Sequence, residues 1–317
     1  MNKQIRNSLL LALTALIWGA SFVSQSTGGD AIGPFSFNCI RSFIGTLALV
    51  PVVLFMDAKG NKKKPVTKED KKTLWKAGIM CGLVLYVATN LQQLGITWGT
   101  ASGKAAFITA FYILMVPILG IFLKRKSSWN VWVAVFIALG GLYLLCMSGG
   151  SSVATSDILV LICAFFFAVQ ILVVDKYAPQ VDGVRLSQIQ FLTCGVLGLI
   201  PMILVDMQLY KGIGAFITYT SENWVYGFTT WDAWGSLLYS GVCSCGIAYT
   251  LQIIAQDGLH PTVASIIMSF ESVFGVLTGW IILSERLSLR EGLGCIAMMI
   301  AILMAQLTFK KKAKQIA

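Results

Sequence analysis

The sequence predicts an all-α polytopic membrane protein: ten transmembrane helices as a 5+5 inverted-topology repeat, with both termini cytoplasmic. Three observations predict it. They are an apolar and charge-poor composition, a one-sided distribution of basic residues, and a self-similarity at an offset near 160 residues. Of 317 residues, 56% are hydrophobic and 12% charged, with a mean hydropathy of +0.77. Soluble domains average roughly 45–50% apolar and about 25% charged residues. Half that charge on this much apolar surface excludes an ordinary soluble enzyme and a disordered protein. The net charge of +10 reflects loop lysines and arginines in such a chain and does not point to nucleic acid.

A hydrocarbon core about 30 Å thick requires about 20 apolar residues per helix. Runs at 8–27, 34–56, 74–96, 101–123, 129–148, 157–175, 186–206, 233–255, 261–283 and 291–309 meet that need. The first follows Lys3 and Arg6 and imitates a signal peptide. It is long, lacks a clean cleavage site and precedes nine further runs, so it reads as a retained first helix. Its Thr14, Trp18, Ser21 and Gln25 fall at steps of 4, 3 and 4, on one helical face. The second span carries Arg41, seven residues or roughly 10 Å from its outer end. A basic loop, Lys59–Lys72, follows as an orientation signal close to anionic headgroups. The third span repeats the polar stripe with Tyr86, Asn90 and Gln93.

The fourth span carries Lys104 near its outer end, Tyr112 at mid-length, and Pro117, which frees the carbonyl of Ile113. Gly140-Gly141 in the fifth span and Gly292 and Gly294 in the tenth mark close helix contacts. Both spans are otherwise apolar all round and are expected outside any cavity, packing the halves together or forming a dimer face. The sixth span holds Gln170, near the position corresponding to Ser21. The long segment 207–232 contains Trp224, Tyr226, Phe228 and Trp231 and reads as interfacial. Tyr249, Gln252 and Gln256 line one face of the eighth span. Met268, Glu271 and Gly275 line one face of the ninth.

Counting lysine and arginine sets the topology. With the N-terminus inside, inner segments hold 19 of the 24 basic residues and outer segments hold three. Such a bias keeps both ends in the cytoplasm. The halves resemble each other: Leu91-Gln92 matches Leu251-Gln252, Phe111 matches Phe270, Gly120 matches Gly279, and Tyr112 aligns with Glu271. Residues 1–150 (helices 1–5) form the first repeat and 151–317 (helices 6–10) the second. Five spans per half is an odd number, so the second half enters the membrane inverted. Inverted repeats are a signature of secondary transporters, with the substrate site near the midplane.

These residues also resemble a known family. "LIWGASFV" at 16–23, Arg41, "SGKAAFITAFYILMVPILG" at 102–120 and "SFESVFGVLTGWIILSERLSLREGLG" at 269–294 are similar to successive motifs of the EamA family of the drug/metabolite transporter superfamily. Glu271 and the run Glu285-Arg286-Leu287-Ser288 fall on its pattern. The first-half copy departs from it, with Lys124-Arg125-Lys126 where an acidic Glu-Arg-like run is usual. The resemblance implies an export- or exchange-type carrier of small metabolites, with ten helices around one cavity, in a bacterial cytoplasmic (inner) membrane.

Charge inside a membrane is costly, about 2.5–3.5 kcal/mol at a helix centre on insertion scales. Arg41, Lys104 and Glu271 are therefore singled out. In one reading the cations attract a carboxylate, while Glu271 meets an amine or carries a coupling proton. In the other, Glu271 neutralises one of them and Lys104 snorkels to the headgroups. Arg41 is assigned a structural role. The expected cavity set is Trp18, Ser21, Gln25, Tyr86, Asn90, Gln93, Lys104, Tyr112, Gln170, Tyr249, Gln252 and Glu271.

The expected activity is secondary transport of an amino acid or related carboxylate or zwitterion, by alternating access at that cavity. Uncoupled movement of sugars or nucleotide derivatives is the alternative. An intramembrane enzyme, the other class, lacks a motif: there is one histidine, no H-E-x-x-H, and no G-x-S-x-G. No G-x-x-x-x-G-K-[ST] is present to bind ATP. No metal and no cofactor are expected. The expected partners are a small-molecule substrate and the lipid bilayer, with the chain a monomer or homodimer.

Overall fold

The computed structural model describes residues 3–61, 63–100, 102–124, 127–146, 154–207, 224–275 and 288–316. Every regular element among them is helical. In chain order they are α1 (Lys3–Ile32), α2 (Pro34–Ala58), α3 (Lys68–Thr97), α4 (Ser102–Thr109), α5 (Tyr112–Phe122), α6 (Trp129–Cys146), α7 (Thr155–Tyr177) and α8 (Gly183–Pro201). Then come α9 (Trp224–Gly227), α10 (Trp231–Leu238), α11 (Tyr249–Gln256), α12 (Pro261–Met268) and α13 (Leu289–Ile316). Two π-helical stretches complete the set. Met202–Asp206 continues α8, and Tyr239–Ala248 joins α10 to α11. Among the described residues, seven helical segments are long and apolar enough to cross a membrane; three shorter apolar helices are Trp129–Leu144, Pro261–Gly275 and Gly292–Ala305.

The helices start where local chemistry satisfies free N–H groups. Thr67 and Asp70 form a reciprocal capping box at α3, at 3.0 and 2.9 Å. Asp182 accepts the Arg185 N–H at 2.9 Å and caps α8. The one histidine, His260, caps α12 by accepting the Thr262 N–H at 3.3 Å, and Pro261 follows at the first helical position. Gly33 alone separates α1 from α2, with φ +90°, a backbone region that glycine enters readily. Buried Asp206 then caps α2 from a distant element, accepting the Ser36 N–H at 2.6 Å.

The packing is inverted relative to a soluble protein. On α1, Leu9, Leu13, Leu16 and Val23 are exposed, while Thr14, Ser21 and Gln25 are buried. On α2, Leu47 is 67% exposed, whereas Asn38, Arg41, Ser42 and Thr46 are buried. Apolar residues outside and polar residues inside is the arrangement hydrocarbon demands. Helices α6 and α13 pack on each other, and a Cβ on Gly141 would lie 2.9 Å from the Gly294 carbonyl oxygen. Small residues thus bring these two helices close. Helix α3 packs against α7 and α8, and α2 packs against α8 and the second π stretch.

Two helices are broken at positions 159 residues apart. Between α4 and α5, the Phe111 N–H bonds the Ile108 carbonyl at 3.1 Å and the Ile113 N–H bonds Ala110 at 3.0 Å. After α12, the Phe270 N–H bonds Ile267 at 3.2 Å and the Ser272 N–H bonds Ser269 at 3.2 Å. Every partner in the first turn has its counterpart in the second. At the second break the Ser269 hydroxyl donates to the Ile266 carbonyl at 2.8 Å, taking the acceptor that a regular helix would offer to Phe270. Such tightened turns inside a helix often mark a functional hinge.

Four ion pairs among the described residues cluster around two acids, Asp57 and Asp257. Asp57 receives Arg185 at 2.5 Å and Lys64 at 2.9 Å, and Asp257 receives Lys63 at 3.1 Å and Lys3 at 3.5 Å. Part of the basic loop after α2 is thus neutralised by acids of the protein. The expectations for Gly279, Arg125, Lys126 and Glu285-Arg286-Leu287 lie outside the described residues. So does most of segment 207–232.

Candidate functional site

A central cavity of about 40 Å³ lies among α1, α2, α3, α4, α5, α7, the second π stretch, α11 and the segment after α12. It holds a few waters at most. Sites for small molecules are typically about 300–1,000 Å³, so a metabolite would enter only if the surrounding helices part.

One basic and one carboxylic side chain face this cavity, each 5% exposed: Arg41 and Glu271. The Arg41 guanidinium stands 5.1 Å from the centroid of the Phe37 ring. It makes no hydrogen bond and no ion pair among the described residues. Glu271 is the first residue after the second helix break, and its Oε1 accepts from the Tyr112 hydroxyl at 3.4 Å. Tyr112 is the first residue of α5, after the first break. The two broken helices therefore meet through the residues that begin their second segments.

Local sequence explains how α1 reaches this point. A Cβ on Gly19 would lie 2.6 Å from the Glu271 carbonyl oxygen and 2.7 Å from the Gly275 nitrogen. Glycine lets α1 rest backbone to backbone on the segment that carries Glu271. Its neighbours Trp18, Ser21 and Gln25 then line the cavity. Trp18 Nε1, Ser21 Oγ and Gln25 Oε1 are buried with no hydrogen-bond partner among the described residues. Trp18 packs on Tyr249, with ring centroids 4.6 Å apart.

Of the residues singled out in the sequence, Trp18, Ser21, Gln25, Tyr112, Tyr249 and Glu271 line the cavity. Arg41, assigned a structural role, lines it as well. The others lie elsewhere. Gln93 Nε2 donates to the Gln25 carbonyl at 2.8 Å. Asn90 Oδ1 accepts from Asn38 Nδ2 at 3.1 Å, and its Nδ2 donates to the Tyr86 carbonyl at 2.8 Å. The Tyr86 ring packs beside Phe191, Cys194 and Tyr249. Gln252 donates to Gln170 Oε1 at 3.2 Å, and Gln170 donates to Gln190 at 3.4 Å. Lys104 is bound to Asp157 at 2.5 Å. Asp157 also accepts from Thr100 Oγ1 at 3.0 Å and from the Ala154 N–H at 2.8 Å. That carboxylate joins the start of α4, the end of α3 and the start of α7.

Sequence reasoning missed Gln92, Thr109 and Ser244, which also line the cavity. Gln92 Nε2 donates to Thr109 Oγ1 at 2.9 Å, at the last residue of α4. Gln92 stands one residue from the stripe Tyr86, Asn90 and Gln93 and matches Gln252 in the repeat, which is a usable signal. Ser244 had none. The Tyr249 N–H bonds the Ser244 carbonyl, an i→i+5 pattern. Five α-helical steps would place the two residues about 140° apart, whereas the π turn brings both to the cavity. Among the described residues, no group of three His, Cys, Asp or Glu side chains is arranged to hold a metal ion.

The profile of the EamA-like transporter family matches residues 6–147 and again 154–307. The chain belongs to that family. An "Uncharacterized transporter" of Archaeoglobus fulgidus is 27% identical, over 96% of this chain and 87% of its own length. The "Uncharacterized transporter YoaV" of Bacillus subtilis is 23% identical, over 94% and 95%. A solved structure titled "Crystal structure of protein" shares the fold, with a TM-score of 0.73 over 97% of this chain and 99% of that one, at 16% identity. This EamA-like transporter is thus an all-helical, multi-pass membrane protein, and its named relatives are transporters of unstated substrate.

Proposed function

We propose that this EamA-like transporter moves a small zwitterion or carboxylate, an amino acid being the leading case, by alternating access at the Arg41–Glu271 cavity. One observation carries the proposal. Among the described residues, a buried cation without an ion pair and a buried acid with one hydroxyl partner face the same small cavity. A carboxylate group would meet the guanidinium, and an ammonium group would meet Glu271. The unpartnered Trp18 Nε1, Ser21 Oγ and Gln25 Oε1 supply further polar contacts. Glu271 is also the coupling candidate, because a carboxyl group can exchange a proton between the two sides. The movement is export or exchange.

The architecture proposed with it has ten spans, both termini cytoplasmic, and two repeats at 1–150 and 151–317. Seven long and three shorter apolar helices support the count. Two successive family matches support the repeats, as do the equivalent helix breaks. Discontinuous helices at corresponding positions of two halves are the usual pointer to a transporter's site. The setting is a bacterial inner membrane, and the protein works as a monomer or homodimer, without cofactor or catalysis.

The test is a thermal-shift screen of the detergent-solubilised protein against amino acids, organic acids, sugars and nucleotides. A ligand at 100 times its dissociation constant stabilises by about 2.7 kcal/mol. Stabilisation by amino acids or carboxylates is expected. Stabilisation by neutral sugars or nucleotides alone would overturn the substrate class and leave transport standing.

A further inference from the structure

Apart from the central cavity, the structure has a largely apolar groove. It has a volume of about 580 Å³ and runs between α3, α5 and α7. Leu119 and Phe122 of α5 form one wall and Val169 and Val173 of α7 the other. Phe122 is 80% exposed, although it is among the most apolar side chains of the segment. Met80 and Tyr177 close one end, where the Tyr177 hydroxyl donates to Met80 Sδ at 3.4 Å. At that end stands Lys176, exposed, with Nζ 5.3 Å from the centroid of the Tyr177 ring. Its ammonium makes no ion pair among the described residues, and no acidic residue lines the groove.

We propose that this groove holds an acyl chain of an anionic phospholipid, with the lipid phosphate on Lys176. Three observations choose that occupant. The walls are apolar, and Val169 lies seven residues from Lys176, so the groove runs roughly 10 Å along α7. That is the depth of the first part of an acyl chain below a headgroup. The charge is complementary, one unpaired cation at the polar end and no acid to compete. A further basic residue, the exposed Lys124, follows directly on Leu123, which also lines the groove. Basic pockets between transmembrane helices near the cytoplasmic surface are known to select anionic headgroups. With the termini cytoplasmic, Lys176 lies at that surface.

The full-length protein in detergent would be titrated with dioleoylphosphatidylglycerol and, separately, dioleoylphosphatidylcholine. Retained lipid would be counted by native mass spectrometry. The wild type should hold one phosphatidylglycerol about fivefold more tightly than phosphatidylcholine, the factor one lysine contributes at an anionic surface. Lys176→Gln should remove that preference and leave phosphatidylcholine retention unchanged. The double change Lys71→Gln, Lys72→Gln, at exposed positions away from the groove, should preserve it. Val169→Trp, which narrows the groove, should lower retention of both lipids. The proposal is overturned if Lys176→Gln keeps the wild-type preference, or if the Lys71/Lys72 change alone abolishes it. It is equally overturned if a second copy of the chain displaces lipid when Lys176 is intact.

Discussion

Replacing Arg41 with methionine should make the ligand-free protein more stable and abolish its binding of carboxylates. The opposite signs follow from the structure. The guanidinium is 5% exposed, and among the described residues only the Phe37 ring at 5.1 Å offsets its burial. An arginine at a helix centre costs about 2.5–3.5 kcal/mol on insertion scales. Arg41 lies seven residues, or roughly 10 Å, from the Pro34 end of α2, beside a cavity that admits water, so the cost falls toward the lower figure. The cation–π contact returns about 0.5–2 kcal/mol. Methionine keeps an unbranched apolar stem and fills the same space adaptably. The balance is a gain of about 1 kcal/mol, or about 2–4 °C for a chain somewhat smaller than this one. Thermal unfolding without ligand reads the first effect, and the shift on adding a carboxylate or amino acid reads the second. A lower unfolding temperature for Arg41→Met, with the ligand-induced shift preserved, would show that the arginine is packing and refute the reasoning.

Three further perturbations test other parts of the structure. Glu271→Gln keeps an oxygen for the Tyr112 hydroxyl, so the protein should fold while pH-gradient-driven uptake into vesicles is lost; undiminished coupling would remove Glu271 from that role. Lys104→Ala leaves Asp157 with two of its three donors, and the pair is partly buried, with side-chain exposures of 25% and 5%. Breaking fully buried pairs costs about 3–5 kcal/mol, so a loss of about 2 kcal/mol is expected in thermal unfolding. Substrate affinity should be unchanged, and a large affinity loss would return Lys104 to the site. Gly19→Ala forces α1 away from the Glu271–Gly275 segment and should destabilise by about 1–3 kcal/mol, as overpacking does; it should also weaken binding, measured by isothermal titration. An unchanged protein would mean that the helices slide apart freely.

Much of the helical architecture was legible because hydrocarbon imposes a simple demand on each segment. The apolar runs at 8–27, 34–56, 74–96 and 157–175 lie inside α1, α2, α3 and α7, which extend beyond them at polar ends. The polar stripe of the first span was legible for the same reason: Thr14, Ser21 and Gln25 are buried together. Breaks within a span were not. Ala110-Phe111 and Ser269-Phe270 contain no proline or glycine, and the turn there rests on backbone bonds and one serine hydroxyl. Nor was the π stretch, which moved Ser244 onto a face that α-helical spacing denies it.

Composition and apolar run length determined that this chain lives in a bilayer as helices, because those terms act on each segment alone. Periodicity determined which face of α1 is polar. Only the packed structure decided what each polar face meets. Lys104 finds Asp157, 53 positions along the chain, and Gln170 finds Gln190 and Gln252. Among the described residues Arg41 finds no ionic partner, and it lines one cavity with Glu271. Helical spacing orients a side chain about its own axis, but the identity of the neighbour depends on which helices lie side by side, and that is a property of the whole fold.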